Sequence, residues 1–422
     1  MTYQEALDFL YPLHRFGIKP GLDRVCSLLD LHGSPQKRLG VVVHIAGTNG
    51  KGSVAAALAS IFQASGKKCA LYTSPHLVDF TERIRINGRQ IPRERVAYYC
   101  SCFSDAVIAS KATFFEATTA IAFAWFADEG VEVSIIETGM GGRLDATNVV
   151  DSDYAVITSI GLDHTDWLGK TLALIAAEKA AIIKKGSKVF SAVSQPEAQH
   201  EIDLMAKRCN APLFVAGKDS ACRLMSVEPG MVALELTTAF HYYPSLKAPL
   251  NGSFHASNIS LAVMVAENAG IAPEHITSGL EGLLQTGYRA RLELIGRHPA
   301  LFLDVSHNPD GMRETVNALC LFRHNYRRVH VLIGLASDKD ARAIIRELLR
   351  LDCTFVLVNI PSERSVPAET LGSLCREEGG EATVCAAGRE GLAYLLGQAT
   401  DDDMILVTGS FYLAGDLLAA GL

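Results

Sequence analysis

The stretch Gly40-Val41-Val42-Val43-His44-Ile45-Ala46 runs straight into Gly47-Thr48-Asn49-Gly50-Lys51-Gly52-Ser53 and then into an alanine-rich segment that reaches Gly66. An unbroken Val/Ile run of this length reads as a strand buried on both faces, and residues 51–65 read as a helix stopped by Gly66. Between them, glycines let the backbone curl so that its N–H groups face an anion. The helix N-terminus adds partial positive charge and Lys51 a full one. Ser53 could place a hydroxyl beside a phosphate-bound metal. The strict GxxxxGK[ST] pattern does not fit, because Ile45 stands five residues before Gly50 and Gly52 follows the lysine. An ordinary strand-to-helix turn would account for the glycines alone. Glycines, lysine and serine in strand–loop–helix order favour a nucleotide phosphate.

The same alternation continues along the chain. Strands are expected at 68–73, 131–137, 153–159 and 188–193, with helices near 92–109 and 114–128 and a polar stretch containing Gly88 and Pro92. A second series begins near residue 290, with strands at 300–305, 329–334, 353–358 and 403–408. Residues 222–250, with short alternating runs and turn signals, are expected to form a small antiparallel patch at the edge of the first unit. Residues 282–287 (GLLQTG) are the expected linker. The class is α/β with a mainly parallel sheet.

The 422 residues suggest two or three domains, and the expected division is 1–285 and 286–422. Subtracting 46 acidic from 39 basic side chains leaves −7, which argues against a general nucleic-acid surface or a polybasic membrane face. Small anionic ligands stay open, because they need only a local positive site. Apolar runs such as 121–127 fall far short of the ~20 residues of a membrane span. The N-terminus reads as a helix start, with Thr2 as cap and Glu5 closing a capping box, rather than as a signal peptide. The ten cysteines are scattered, and the one close pair, Cys100 and Cys102, is a CxC. Reduced thiols in a cytoplasmic protein are expected, with neither a disulfide framework nor a zinc knuckle.

Ligands of open α/β sheets gather at the carboxyl ends of the strands. Three polar signals fall there: Ser74, Glu137 leading into Thr138-Gly139-Met140-Gly141-Gly142-Arg143, and Asp163-His164. Singly, each has an ordinary explanation. Glu137 could pair with an arginine, His164 could cap a loop, and Ser74 could be a turn residue before Pro75. Together beside a phosphate loop, they favour a site for the magnesium of a nucleotide, with the histidine the less usual ligand. Read from its neighbours alone, Lys179 is a helix-surface lysine paired with a nearby acid, and Glu116 completes a capping box with Thr113.

Six strings in order carry a resemblance. HIAGTNGKGSV (44–54), TSPHLVDFTERI (73–84), ETGMGGRLDATN (137–148), SIGLDHTDWLG with a downstream EKAAI (within 159–183), LDVSHNP (303–309) and GSFYLAGD (409–416) resemble the motifs of folylpolyglutamate synthase and bifunctional dihydrofolate synthase–folylpolyglutamate synthase, in the Mur ligase superfamily. The resemblance implies an N-terminal P-loop-type ATPase domain, a smaller C-terminal Rossmann-like domain, and an active site between them. It implies ATP-dependent amide formation between L-glutamate and 7,8-dihydropteroate, a reduced folate, or both. Gly47, Thr48, Asn49, Gly50, Lys51, Gly52 and Ser53 would hold the ATP phosphates, with Arg291, Asp304 and His307 contacting ATP and Asn258 near the adenine. Ser74, Glu137 and His164 fall on magnesium-ligand positions, two ions being implied, together with a monovalent cation. Lys51, Lys179 and His164 would be the catalytic set, and Lys179 falls on a lysine that is carbamylated in relatives. Ser74, Pro75, His76, Phe80 and Arg83 lie in the mobile loop that would close on the pterin. A monomer acting on small molecules is implied, of which both the mono- and the bifunctional kind share these motifs. The chain departs from the pattern at Ala290, where glycine is usual, at Thr81, where arginine is frequent, and at His255, where relatives often have glutamine. Ser337-Asp338-Lys339-Asp340 keeps the family's Asp-Lys-Asp.

The implied chemistry accounts for these residue types. A carboxylate must be phosphorylated before an amine can displace its oxygen, and phosphoryl transfer needs cations and aligned N–H groups. The acyl phosphate must be shielded from water by the closed cleft. A carbamylated Lys179 requires a neutral amine first, so a desolvated or cation-flanked site is expected. Two other readings compete. A Mur-type ligase acting on a UDP-sugar would usually carry threonine straight after the loop lysine, where this chain has Gly52. A silent nucleotide- or folate-binding protein is opposed by Lys51, Glu137, His164 and Lys179 all being present.

Overall fold

A computed structural model describes residues 1–17 and 19–422. The first sheet has eight strands: β1 (Val41–Ala46), β2 (Cys69–Tyr72), β3 (Ile84–Ile86), β4 (Arg89–Gln90), β5 (Val133–Glu137), β6 (Tyr154–Ile157), β7 (Lys188–Ser191) and β8 (Leu213–Val215), in the order β4-β3-β2-β5-β1-β6-β7-β8. From β2 to β8 all pairings are parallel, and β1 lies in the middle, Val43 facing Ile135 of β5 and Tyr154 of β6. A three-stranded antiparallel sheet follows, β9 (Ala221–Glu228), β10 (Met231–Thr237) and β11 (Tyr242–Ala248). The last sheet contains β12 (Glu293–Arg297), β13 (Ala300–Leu303), β14 (Val329–Ile333), β15 (Cys353–Asn359), β16 (Glu381–Ala387) and β17 (Met404–Thr408), in the order β12-β13-β17-β14-β15-β16.

The α/β class expected from the Val/Ile runs is the class observed. Helices cover both faces of the first sheet. Tyr3–Leu10, Arg93–Ser110 and Phe114–Asp128 pack in one core, and Lys51–Ala64, His255–Asn268 and Pro273–Glu281 in another. The antiparallel sheet joins the second core through Leu234, Leu236 and Leu246. Both expected capping boxes form, Thr2 with Glu5 and Thr113 with Glu116, and Glu116 also pairs with Arg24 at 2.9 Å.

The polar stretch between β2 and the next helix is a correction. Residues 84–90 form the antiparallel hairpin β3–β4, because Asn87-Gly88 takes positive φ (47° and 73°), as a two-residue hairpin turn requires, and Ile84 and Ile86 turn inward. The edge strands β8, β12 and β16 are also additional to the expected set. β12 and β16 are half-exposed and begin on a glutamate, and the apolar run of β8 is three residues long, so none carries the longer run of a strand covered on both faces. Among the described residues no helix is long and apolar enough to cross a membrane, and all ten cysteines are free thiols.

Candidate functional site

The loop after β1 is pinned by the end of β6. Thr48 N–H donates to Ser159 O (2.7 Å), Asn49 N–H to Ser159 Oγ (3.1 Å), and Thr158 Oγ1 to Asn49 O (2.6 Å). Gly50 closes the loop at φ 85° and caps helix Lys51–Ala64. A Cβ there would stand 2.6 Å from Asn258 Oδ1, so both the backbone angle and the neighbour demand glycine.

Two amines converge on one carbonyl. Lys51 Nζ donates to Gly47 O (3.1 Å) and Thr48 O (3.2 Å), and Lys179 Nζ donates to Gly47 O (2.8 Å). Lys179 is 4% exposed, which corrects the surface reading drawn from its neighbours. The adjacent Glu178 instead faces outward and pairs with Arg143 at 2.8 Å. Burial, and then the charge of Lys51, bring the Lys179 amine down to about 7. About half the amines are therefore neutral at pH 7.

Glu137, at the end of β5, is buried, and one oxygen accepts the Ser74 N–H at 3.2 Å. Burial raises its carboxyl above the ordinary range even though Lys51 and Arg291 oppose this. No arginine forms a salt bridge with it among the described residues. A buried carboxylate with one committed oxygen, beside a serine hydroxyl and a phosphate loop, fits an oxygen-seeking divalent cation. His164 takes the left-handed conformation (φ 50°) and lines the same cavity, its side chain 41% exposed. Burial lowers its pKa. Its neighbour Asp163 accepts from Asn308 Nδ2 (3.1 Å) and pairs with Lys339 Nζ (3.4 Å), both from the C-terminal part of the chain. Burial alone would raise Asp163, but His164 and Lys339 outweigh it and hold its carboxyl at about 2.

The C-terminal part closes the cleft from the other side. Ala290 and Leu292 take φ 56° and 50°, in the left-handed region that glycine adopts most readily. Between them, Arg291 lies over the Phe411 ring at 4.7 Å. Asp304 is buried, and its oxygens accept from Leu292 N–H, Ser306 N–H and the Thr315 and Thr408 hydroxyls at 3.0–3.3 Å. It thus holds the two turns that present Arg291 and His307. His307 Nδ1 lies 2.9 Å from Val305 O, and its ring packs on Phe411. Asn308 caps helix Pro309–Cys320 and meets the Asn49 amide at 3.3–3.4 Å.

One cavity of about 530 Å³ is lined by Thr48 to Ser53, Ser74, Pro75, Glu137, His164, Asn258, Arg291, Asp304 and His307. Gly47 and Lys179 lie just behind it, joined by their hydrogen bond. Ser53 is buried, its hydroxyl 2.7 Å from that of Tyr288. The remaining loop candidates form a second cluster. Arg83 Nε donates to His76 Nδ1 (2.7 Å), its guanidinium lies 5.1 Å over Phe114, and Phe80 is fully buried beside them. His14 stacks on Phe114 at 4.0 Å and Tyr11 at 6.0 Å. Tyr11, His14, Phe114, Tyr288, Asn308 and Phe411 had no role in the sequence reading. Asn308 and Phe411 lie inside quoted motifs, whereas the other four carry no local signal.

The description "Mur ligase middle domain" matches residues 45–266, and "Mur ligase, glutamate ligase domain" matches residues 290–411. The dihydrofolate synthase/folylpolyglutamate synthase of Bacillus subtilis is 33% identical, covering 99% of this chain and 98% of its own. The chain spans about half the length of two halobacterial relatives, each named "Probable bifunctional folylpolyglutamate synthase/dihydropteroate synthase". Escherichia coli FolC in complex with DHPP and ADP superposes with a TM-score of 0.90 at 28% identity, over 100% of this chain and 97% of that one. The bifunctional folylpolyglutamate synthase/dihydrofolate synthase of Yersinia pestis, complexed with AMPPNP and Mn ion, gives 0.87 at 29% identity, over 100% and 98%. The chain belongs to the dihydrofolate synthase/folylpolyglutamate synthase family of Mur ligases.

Proposed function

We propose that this protein is an ATP-dependent ligase that joins L-glutamate through an amide bond to 7,8-dihydropteroate and to the γ-carboxylate of reduced folates, by way of an acyl phosphate. The observation that carries the reading is the convergence of Lys51, Glu137, Arg291 and His307 on one cavity beside the pinned phosphate loop. The N–H groups of residues 50–53 bind the ATP phosphates, and Lys51, which among the described residues bonds its own loop carbonyls, turns to them. Phe254, Ser257 and Asn258 receive the adenosine end. Arg291, steered by the Phe411 ring, faces the transferred phosphoryl group. A divalent cation held by Glu137, the Ser74 hydroxyl and His164 would neutralise the charge that develops on the phosphate oxygens. The loop 74–85, with Arg83 over Phe114 and His76 bonded to Arg83, binds the pterin ring and keeps water from the acyl phosphate.

Lys179 is the proposed carbamate. Its neutral amine attacks the carbon of CO2, an N–C bond forms, and one proton is released. The product is a carboxylate-like group beside Lys51. Burial, which favours the neutral amine, supports this. The proposed division remains 1–285 and 286–422, and a monomer suffices because one chain supplies every group of the cleft.

The test is glutamate-dependent phosphate release from ATP with dihydropteroate, tetrahydrofolate or a UDP-muramoyl peptide. Release with the first two and not the third is expected. Release with the third alone, or with none, refutes the proposal.

A further inference from the structure

Arg291 sits between two residues that hold an unfavourable backbone. Ala290 and Leu292 take φ 56° and 50°, where a Cβ crowds the following carbonyl oxygen. Two such residues flanking one side chain persist only where the surroundings fix them from several sides, and backbone of this kind gathers at functional sites. The guanidinium itself is lightly held. It lies 4.7 Å over the Phe411 ring, and among the described residues its one hydrogen bond is a long one, 3.5 Å to Ala290 O. Its direction is therefore set largely by the backbone that carries it.

That backbone is fixed from three directions. Glu293 accepts from Ala290 N–H at 2.7 Å and pairs with Arg289. Asp304, from the C-terminal part of the chain, accepts from Leu292 N–H at 3.0 Å. Asn251, from the N-terminal part, donates through Nδ2 to Leu292 O at 2.8 Å. The Oδ1 of the same amide accepts from Gly230 N–H, in the β9–β10 turn, at 2.6 Å. Turning the amide over would set N–H against N–H and oxygen against oxygen, so the two bonds fix one orientation. Asn251 is 3% exposed, so both bonds are shielded from water. A cavity of about 370 Å³ lies between the Gly230 turn, residues 249–251 and the crossing from Tyr288 to Arg297. Packing leaves this gap open, and the Asn251 amide bridges the segments around it.

We propose that Asn251 is a positioning residue for Arg291. Through Leu292 it holds the strained crossing that aims the guanidinium at the transferred phosphoryl group, and the three-stranded antiparallel sheet serves as its abutment. This rests on the reading of Arg291 under the ligase function above. Asp304 and Asn251 grip the N–H and the C=O of Leu292 from the two halves of the chain. With the Asn251 bond gone, Leu292 O loses its buried donor and the crossing relaxes toward ordinary φ, which carries Arg291 away from the phosphoryl position. The phosphate loop is pinned at the end of β6 and makes no use of Asn251, so the rest of the nucleotide binds as before.

The test compares the full wild-type chain with Asn251→Ala, Asn251→Asp, Arg291→Ala and the double variant Asn251→Asp/Arg291→Ala. Binding of a methylene-bridged ATP analogue and of ADP, each with Mg2+, is measured by calorimetry. Asn251→Asp keeps the size of the side chain and the acceptor for Gly230 N–H, and loses the donor to Leu292 O. It is expected to weaken the analogue about tenfold, as for the loss of one hydrogen bond to a charged group, and Asn251→Ala and Arg291→Ala at least as much. ADP, which lacks the phosphoryl group that Arg291 faces, should change by less than about twofold, the scatter of independent sites. In the Arg291→Ala background Asn251→Asp should also cost less than about twofold, because an effect exerted through Arg291 disappears with it. An unweakened analogue in Asn251→Asp or Arg291→Ala, equal weakening of analogue and ADP, or a loss that is as large without Arg291 overturns the positioning role. Loss of ADP binding in both Asn251 variants overturns it too, since Asn251 then serves folding. A wild-type chain that ligates no folate refutes the ligase reading instead, and the binding cycle still decides the role of Asn251.

Discussion

Replacing Lys179 by methionine is expected to stabilise the protein while abolishing its activity. The amine falls from 10.5 to about 7 on folding, through burial first and the charge of Lys51 second. At about 1.4 kcal/mol per pKa unit, holding this group in the native state costs about 4 kcal/mol at pH 7. Methionine fills similar space without that cost but loses the bond to Gly47 O, about 1 kcal/mol. The net gain at pH 7 is therefore about 3 kcal/mol. The sign follows from proton counting. Between pH 7 and 10.5 the unfolded chain keeps the proton and the folded one has released it, so wild-type stability rises with pH across this window. From pH 7 to 9 the wild type gains about 2 kcal/mol from this residue, and the variant gains nothing. Urea unfolding in CO2-free buffer at pH 7, 8 and 9 should show the advantage shrinking from about 3 to about 1 kcal/mol. Bicarbonate should then stabilise the wild type alone, because a carbamate draws on the neutral amine. A stability difference constant from pH 7 to 9 would refute the reasoning.

Glu137→Gln keeps an acceptor for the Ser74 N–H but removes a carboxyl whose pKa burial raises. The raised pKa means that wild-type stability falls as pH rises through the acid range, and the variant should lose that slope in acid titration of unfolding while losing the thermal stabilisation that added Mg2+ gives the wild type. Gly50→Ala forces a Cβ to within 2.6 Å of Asn258 Oδ1 at φ 85°, and nucleotide affinity measured by calorimetry should fall about tenfold or more, since about 1–2 kcal/mol of strain enters the loop. Asn308→Ala removes a helix cap and the Asn49 and Asp163 contacts. It should cost about 1 kcal/mol in urea unfolding and raise KM for ATP, and an unchanged KM would show that the cross-cleft contact does not order the loop.

Much of this arrangement was legible in the residues. Periodicity and glycine placement marked β1, the phosphate loop and the capped helix, because each is a local property of consecutive residues. Ser74 and Glu137 stood out at strand ends for the same reason. The hairpin β3–β4 was missed, although Asn87-Gly88 forms its turn, because its strands are three and two residues long and lack an apolar run. Lys179 was misread from its neighbours. A helix with apolar residues all round does not say which side its one lysine faces, and Glu178 offered a plausible partner that in fact holds Arg143.

By itself, then, the sequence determined the α/β class, the phosphate loop and the order of the family motifs, since backbone conformation and burial period are written in adjacent residues. Tertiary structure alone decided what the side chains became. Asn49 meets Asn308 across 259 positions, and Lys179 meets Gly47 O across 132. A cavity of about 370 Å³ beside Arg291 exists where the β9–β10 turn, residues 249–251 and β12 come together. Desolvation and charge proximity depend on neighbours distant in the chain, so the lowered pKa of the amine at 179 arises only on folding.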